Sequence, residues 1–263
     1  MGIVNATPDS FSDAGQHASS AAALRHCEAL LRGGADLLDI GGESTRPGSP
    51  PVPLDEELAR VLPVVRDAVT LGVPISVDTY KPQVMQQVLD LGADIINDVW
   101  ALRQAGAEQV VAGHGRCGLC LMHMHREPRT MQAQPMEGDV PSQVLLFLQQ
   151  RASSLHALGV EKNRMVLDPG IGFGKTVAQN FSLLARQSEL LQAGYPLLAG
   201  WSRKSSLGAV SGLEVGSRMI PSVAAALLAV ERGARVLRVH DVAQTVQALA
   251  VWQAASSAAS PSL

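Results

Sequence analysis

Apolar and polar positions alternate along the chain in a repeated unit: a short apolar run, a polar or glycine-rich break, then a longer segment with helical spacing. Short apolar runs bounded by such breaks predict strands, and apolar residues three or four positions apart predict helices. Segments 54–72 and 81–92 are examples of predicted helices. The predicted strands cover residues 2–5, 36–40, 74–78, 94–97, 118–122, 164–168, 196–200 and 235–239.

Glycine marks the point where several predicted helices give way to strands, for example at Gly34, Gly72, Gly92 and Gly233. Glycine suits the left-handed turn that ends a helix. Strand–helix units in a chain of 263 residues predict an α/β fold, a (β/α)8 barrel of the TIM type, which is typically about 250 residues long. A doubly wound open sheet is the alternative, because alternation alone does not separate closed from open sheets.

We expect one barrel domain over residues 1–253 and a flexible tail over residues 254–263, which are of low complexity. Hydrophobic residues make up 46 % of the chain and charged residues 17 %, as in a globular protein. The net charge of −3 gives no reason to expect nucleic acid or an anionic membrane as partner. The apolar runs are too short for a membrane span, and no signal peptide is visible. Three cysteines do not suggest a disulfide scaffold, so we expect a cytoplasmic setting.

Polar side chains gather at the carboxyl ends of the predicted strands, where a parallel barrel carries its active site. They are Asn5, Asp39, Glu43, Asp78, Asn97, Asp98, His123, Asp168, Arg238 and His240, with Ser202, Arg203 and Lys204 after the seventh strand. Asp78, Asp168 or Asp241 alone is equally well explained as a helix N-cap. Polar ends on nearly every strand favour a shared site.

The types of these side chains indicate what the site binds. Asp78, Asn97 and Asp168 supply hydrogen-bond acceptors and an amide, which suit a heterocycle that carries N–H groups. Positive donors suit a phosphate group, and the candidates are Arg46, Arg203, Lys204, Arg238 and His240. The residues therefore predict an enzyme whose substrate has a nitrogen-rich ring at one end and a phosphate-like group at the other.

The segment "VLDPGIGFGKT" (166–176) looks like a phosphate-binding loop, but its spacing fits neither the P-loop nor the dinucleotide-binding pattern. A P-loop needs a glycine five residues before Gly174, where this chain has Pro169. The glycines also read G-x-G-x-G rather than the dinucleotide pattern G-x-G-x-x-G. What remains is a strand that ends in Asp168, followed by a glycine loop.

Two segments, "GIVNATPDSFSDAG" (2–15) and "ADLLDIGGESTRPGS" (35–49), resemble the signature segments of the dihydropteroate synthases. "ISVDTYKP", "IINDV", "LMHM", "LDPGIGFGK", "WSRKS" and "RVHDV" follow in the family's order, so the resemblance runs from residue 2 to about residue 251. It implies a pterin-binding barrel that condenses (7,8-dihydropterin-6-yl)methyl diphosphate with 4-aminobenzoate to 7,8-dihydropteroate and pyrophosphate. It also implies Mg²⁺ as cofactor, inhibition by sulfonamides and a homodimer.

The resemblance assigns roles to residues that match the family's motifs. The pterin would be bound by Asp78, Asn97, Met122, Asp168 and Lys204. The pyrophosphate would lie against Asn5, Arg46, Arg238 and His240, with Mg²⁺ reached through Asn5 and the loop of Asp9 and Asp13 nearby. The aminobenzoate would contact Phe11, Thr45, Pro47, Phe173 and Ser205. Catalysis would rest on Asp78, Lys204, Arg238 and His240, with no general base, because an aryl amine is neutral at pH 7.

Four positions depart from the family's usual pattern. Tyr80 stands where a small residue is usual, Ile171 where Phe is common, Pro221 where Gly is usual and His125 where Gln is common. None of them removes a residue with an assigned role. Ile171 is the departure that bears on the shape of the aminobenzoate pocket.

Three alternatives compete with this interpretation. His114, Cys117, Cys120 and His123 have a spacing that resembles a zinc site, but the last two would point to opposite faces of a strand, and Cys120 is expected in the barrel core. Another pterin-binding barrel, such as a methyltetrahydrofolate methyltransferase, would have no use for "SRK", "RVH" or "DSFSD". A pterin-binding paralogue without catalysis would be expected to lack Arg46, Lys204 or His240, and this chain has all three.

Overall fold

The computed structural model of the chain describes residues 1–6, 15–46, 48–126, 131 and 133–258. Its strands form one parallel sheet in which each strand pairs with the next along the chain. They are β1 Gly2–Asn5, β2 Leu38–Gly41, β3 Ile75–Asp78, β4 Ile95–Asp98, β5 Gly118–Met122, β6 Met165–Asp168, β7 Leu197–Ala199 and β8 Ala234–Leu237.

The sheet closes on itself between β1 and the residues just after β8. Gly2 forms a parallel bridge with Val239. The N–H of Ile3 donates to the carbonyl of Val239 over 3.0 Å, and the N–H of Val239 donates to the carbonyl of Met1 over 3.0 Å. The (β/α)8 barrel predicted from the sequence is therefore confirmed, and the open sheet is excluded.

Helices follow the strands and cover the outside of the barrel. They are α1 Gly15–Arg32, α2 Leu54–Ala68, α3 Pro82–Asp90, α4 Ala107–Gly113, α5 Val140–Ala157, α6 Val177–Ala185, α7 Ser205–Ser211, α8 Met219–Glu231 and α9 Val242–Ala258. Short 3₁₀ turns lie at Val69–Leu71, Lys162–Arg164, Gln187–Ala193 and Val215–Ser217. Within these described ranges, no helix has both the length and the apolar character that a membrane crossing requires.

The start and end of α3 show how the sequence sets an element. Pro82 occupies the first turn, where its missing N–H costs no helical hydrogen bond. Gly92, just past the end, has φ +103° and turns the chain toward β4. The helix buries Val84, Met85 and Val88, at positions one turn apart, against the barrel. These bounds agree with the predicted helix at 81–92.

Several predicted strand bounds differ from the structure by one or two residues, and two predicted ends need correction. The strand predicted at 235–239 ends at Leu237. Beyond it, the N–H of Arg238 still donates to the carbonyl of Ala199 over 3.1 Å, while Val239 pairs with β1. The tail predicted from residue 254 starts too early, because α9 continues to Ala258. Alanine-rich sequence favours a helix, and residues 259–263 lie outside the described part.

The glycine loop after β6 packs against the end of β5 with almost no space between them. Gly170 has φ +68°, and a Cβ added there would lie 1.8 Å from the carbonyl oxygen of His123. No L-residue fits such an approach without moving the backbone. The loop that borders the carboxyl end of β6 can therefore pack this closely against β5 only because residue 170 is a glycine.

We expect Gly170→Ala to lower the free energy of unfolding by about 3 kcal/mol or more, the range of severe core damage. The matched control is Gly212→Ala, at φ +71° with nothing within 4 Å of its added Cβ, which should cost only about 1–2 kcal/mol of left-handed strain. Urea unfolding of both variants measures the difference. Equal losses would mean that the close approach to His123 does not constrain the loop.

Candidate active site

The carboxyl ends of the strands surround a cavity of about 410 Å³. Most residues with a role assigned from the sequence line it: Asn5, Thr45, Arg46, Asp78, Asn97, Met122, Asp168, Phe173, Lys204, Ser205, Arg238 and His240. Phe11 and Pro47, together with Asp9 and Asp13, lie outside the described residues. The structure thus brings the described candidates to one cavity, and their individual roles stay predictions.

The two carboxylates assigned to the pterin do not cap helices, which was the other explanation for them. The N-cap of α3 is Lys81 and that of α6 is Thr176. Asp78 instead accepts a hydrogen bond from Arg238, and Asp168 Oδ1 accepts one from the N–H of Gly170 at 2.7 Å. Both carboxylates are buried at the cavity floor, and these hydrogen bonds offset part of their cost of burial.

Arg238 lies between two carboxylates. Its Nε donates to Asp39 Oδ2 over 2.6 Å, and its Nη2 donates to Asp78 Oδ2 over 2.8 Å. Burial would lower the pKa of Arg238, but Asp39 and Asp78 together raise it, so the guanidinium is charged. Burial raises the pKa of Asp78, and Arg238 opposes that rise. The edge of the guanidinium formed by Nε and Nη2 is thereby hydrogen-bonded to carboxylates of the protein itself.

Asp39 connects two other strands and the segment just after β8 at the centre of the barrel. Besides Arg238, it accepts hydrogen bonds from Ser76 Oγ on β3 at 2.6 Å and from Asn97 Nδ2 on β4 at 3.2 and 3.4 Å. Its side chain has no solvent exposure. Sequence reasoning noted Asp39 at a strand end but gave it no role. The available signal was a charged residue inside the apolar run of β2.

Lys204 and Asp168 form the second charged part of the floor. Burial lowers the pKa of Lys204 to about 8, although Asp168 acts to raise it. Burial also raises the pKa of Asp168, against the hydrogen bond from Gly170. The Lys204 ammonium lies 4.3 Å from the centroid of the Phe173 ring, a cation–π distance. The ammonium therefore stands between the acceptor end of the cavity and its aromatic wall.

His240 was counted with the positive donors, and the structure corrects this. Burial, with Arg203 and Arg238 nearby, lowers the pKa of His240 to about 3, so the ring is neutral at pH 7. Ser202 Oγ accepts from the backbone N–H of His240 at 3.1 Å and lies 2.9 Å from the ring Nδ1. His240 thus presents a neutral imidazole, which has one N–H and one acceptor nitrogen, to the cavity.

The lysine of the glycine loop does not face a phosphate. Lys175 Nζ is buried and donates to the carbonyls of Gly170 at 2.8 Å and Phe173 at 3.1 Å, and it lies 2.9 Å from His123 Nδ1. Burial lowers the pKa of Lys175 to about 7. The likeness to a P-loop is therefore a coincidence, as expected, and Lys175 holds the loop together from inside.

Besides Asp39, two further strand-end residues grouped with the site, His123 and Asp98, do not line the cavity. His123 packs edge-on against Phe147 at 4.9 Å and contacts Lys175, and burial lowers its pKa to about 2. Asp98 accepts the N–H groups of Trp100 and Leu102 at 2.7 Å each, which fixes the turn after β4. Both are structural supports of loops beside the cavity.

A partly buried ion-pair network contacts the loop after β2. Lys81 Nζ contacts Glu43 and Glu57, and the Tyr80 hydroxyl donates to Glu43 over 3.0 Å. Glu43 itself lines the cavity. Tyr80, the departure from the family's small residue, also stacks on Trp100 with ring centroids 5.7 Å apart. Sequence reasoning missed this network because its members are far apart along the chain.

The four residues with zinc-like spacing each have a different environment. Cys120 is fully buried and faces Asn97 in the β4–β5 register, as expected for barrel core. Arg164 Nη2 lies 3.1 Å from Cys117 Sγ, and His114 contacts Gln86. In the part of the chain that the structure describes, no three His, Cys, Asp or Glu side chains are grouped to hold a metal.

Comparisons with known proteins agree with this geometry. A family model described as pterin binding enzyme matches residues 1–240. The dihydropteroate synthase of Neisseria meningitidis serogroup C is 50% identical over 258 residues, which cover 97% of this chain and 91% of that protein.

Solved structures give the same result. Dihydropteroate synthase of Burkholderia cenocepacia, complexed with 7,8-dihydropteroate, has a TM-score of 0.90 and 54% identity over 98% of this chain and 91% of its own. The Yersinia pestis enzyme, in a sulfonamide drug complex, has a TM-score of 0.92 and 45% identity over 98% and 94%. The barrel, its cavity and these relatives together place the chain in the dihydropteroate synthase family of pterin binding enzymes.

Proposed function

We propose that the chain joins (7,8-dihydropterin-6-yl)methyl diphosphate to 4-aminobenzoate and releases pyrophosphate. The observation that carries this proposal is the division of one cavity into an acceptor floor and a cationic rim. Asp78, Asn97 and Asp168 form the floor, and Arg46 and Lys204 add positive charge around it. A ring with an N–H edge and a diphosphate arm is complementary to both parts at once.

The pterin would hydrogen-bond to one carboxylate oxygen each of Asp168 and Asp78 at the cavity floor. Asp168 Oδ1 is taken by Gly170 and Asp78 Oδ2 by Arg238, so the other oxygen of each is the one available to accept from the ring. Met122, on β5, is an apolar lining residue of the same cavity. Binding a guanidine-like edge between two carboxylates fixes the rotation of the ring and therefore the direction of its methylene group.

The diphosphate would lie against Asn5, Arg46, the free edge of Arg238 and the His240 ring. Asn5 offers a single neutral oxygen to a metal, so Mg²⁺ would be held largely by diphosphate oxygens, as this ion often is. When bound, it would neutralise charge on the leaving group. Asp9 and Asp13, the other expected neighbours, are outside the described residues.

The reaction needs charge stabilisation more than a base. The bond between the methylene carbon and the diphosphate oxygen breaks, and its electron pair leaves with pyrophosphate. The lone pair of the aryl amine forms the new carbon–nitrogen bond, and the amine proton passes to water. Arg46, Arg238 and His240 would stabilise the charge on the leaving oxygens as it develops. We assign no general base.

The aminobenzoate would lie beyond the Lys204 ammonium, against Phe173, Thr45 and Ser205, which line that side of the cavity. Ile171 lines the cavity too and is buried, so its aliphatic side chain would replace one aromatic face. We propose that sulfonamides compete for this part of the cavity, since the Yersinia pestis relative is known in a sulfonamide drug complex.

We further propose a homodimer in the cytoplasm. Large apolar side chains are exposed around α7 and α8, at Val210, Leu213, Val215 and Ile220, and such a patch is typical of a subunit interface. The described cysteines, Cys27, Cys117 and Cys120, are buried free thiols, in keeping with a reducing compartment.

The function is tested by measuring pyrophosphate release from the pterin diphosphate, with and without Mg²⁺ and 4-aminobenzoate. We expect release that requires both and that matches 7,8-dihydropteroate formation one to one. Pterin binding without turnover would instead identify a paralogue that has lost catalysis.

The pKa of Lys204 predicts the alkaline side of the pH profile. A lysine with a pKa of about 8 is charged below that pH and loses its charge as the pH rises through it. We expect kcat/KM for the pterin diphosphate, which reports the free enzyme, to fall above about pH 8. Lys204→Arg should remove this fall up to about pH 10, because arginine stays charged.

The matched control is Lys162→Arg, which alters a lysine next to Tyr195 and away from the cavity. It should keep the wild-type profile. A wild-type profile that is flat from pH 7 to 10, or a Lys204→Arg profile with the same fall, would contradict the assignment.

A further inference from the structure

Asn180 is a buried amide that joins a loop and a helix behind the cavity wall. It lies in α6, is 1% exposed and does not line the cavity. Its Oδ1 accepts from the N–H of Gly172 over 2.8 Å, and its Nδ2 donates to Ser206 Oγ over 2.9 Å and to the carbonyl of Lys175 over 3.3 Å. A backbone N–H can only donate and a carbonyl can only accept, so these partners settle the orientation of the amide.

The partners of this amide belong to two separate elements of the cavity wall. Gly172 precedes Phe173 in the glycine loop, and both line the cavity. Ser206 lies in the first turn of α7, next to Ser205, which also lines it. The Lys204 ammonium, from the residue before α7, lies 4.3 Å from the centroid of the Phe173 ring. One buried amide therefore holds together the two elements against which the aryl amine would lie.

The needs of helix α6 do not explain this asparagine. The N-cap of α6 is Thr176, which forms a capping box with Gln179. Asparagine is also a weaker helix former than leucine or alanine. Asn180 thus neither caps nor favours the helix, and both polar atoms of its side chain bond groups outside the helix.

The glycine loop is attached to the cavity floor by other groups. The N–H of Gly170 donates to Asp168 Oδ1 over 2.7 Å, and Lys175 Nζ donates to the carbonyls of Gly170 at 2.8 Å and Phe173 at 3.1 Å. None of these bonds involves Asn180. Loss of the Asn180 amide would therefore free the glycine loop from α7 without detaching it from the floor.

We propose that Asn180 is a positioning residue for the aminobenzoate: by tying the glycine loop to α7, it fixes the position of Phe173 relative to Ser205. This deepens the proposed function and rests on it. Asn180 does not touch either substrate. It acts through Gly172 and Ser206, which are parts of the two elements that the aryl amine would contact.

The first test is Asn180→Leu, which removes the hydrogen bonds with a side chain of similar size that favours a helix. We expect the KM for 4-aminobenzoate to rise about 10- to 100-fold, because a small displacement of the wall misplaces the amine. The KM for the pterin diphosphate should stay within about threefold of wild type. Steady-state kinetics with Mg²⁺ measure both constants. A merely structural role would reduce the amount of active enzyme and leave both KM values unchanged.

The matched control is Gln187→Leu, which removes another buried amide that joins two elements. Gln187 is 2% exposed, and its Nε2 donates to the carbonyls of Ala229 at 2.8 Å and Arg232 at 3.3 Å, away from the cavity. It should lower the urea midpoint of unfolding but keep both KM values within about threefold of wild type. An equal rise in the KM for 4-aminobenzoate would mean that general loosening explains Asn180→Leu, and the proposal would be wrong.

A second variant, Ser206→Ala, covers the case in which Asn180→Leu does not fold. It removes only the bond to α7 and leaves Asn180 its bonds to Gly172 and Lys175. We expect the KM for 4-aminobenzoate to rise about fivefold, since the two elements are no longer tied. A rise below about twofold would overturn the proposal.

The wild-type chain separates this inference from the proposed function. If it forms no 7,8-dihydropteroate, the proposed function fails, and the role of Asn180 fails with it. If it is active while Asn180→Leu and Ser206→Ala keep the wild-type KM for 4-aminobenzoate, the proposed function stands and only the role of Asn180 is wrong.

Discussion

The cavity floor depends on one buried charge arrangement, in which the Arg238 guanidinium lies between Asp39 and Asp78. Two carboxylates this deep inside a barrel would be very unfavourable alone. The positive charge of Arg238 stabilises both carboxylates, and each carboxylate accepts a hydrogen bond from one nitrogen of the guanidinium. The strands β2 and β3 and the segment just after β8 are thereby joined by charge at the place where the barrel opens into the cavity.

Other polar groups extend this arrangement outward. Asn97 attaches to Asp39, Asp168 is held by the loop at Gly170, and Lys175 fixes that loop from behind. Asn97 and Asp168, which would meet the ligand, are thus each held by a protein group behind them. A site built in this way needs little reorganisation when charge develops on the leaving group, which is the condition for strong electrostatic stabilisation.

Much of the fold could be predicted from the chain alone. The strands 2–5 and 118–122 have the predicted bounds, because apolar runs flanked by polar or glycine residues are a strong signal. The convergence of Asp78, Asn97 and Asp168 followed from parallel strands, whose carboxyl ends share one face. The resemblance to the dihydropteroate synthases supplied the chemistry, and the comparisons confirm the family.

Other features lay beyond sequence reasoning because they depend on contacts between distant residues. Arg238 and Asp39 are 199 positions apart, and nothing local shows that they pair. His240 was taken as a cation, but burial decides its charge. His123 and Asp98 sit at strand ends like the others, yet they face neighbouring loops. Spacing predicts which residues reach the cavity end of the barrel, but not which of them turn into the cavity.

The central claim is that this floor presents acceptors to the N–H edge of a pterin. A crystal structure of the chain with 7,8-dihydropteroate tests it most directly. The account predicts the ring edge within about 3 Å of free oxygens of Asp78, Asn97 and Asp168, with Arg238 still between Asp39 and Asp78. A ring that binds elsewhere would contradict the account.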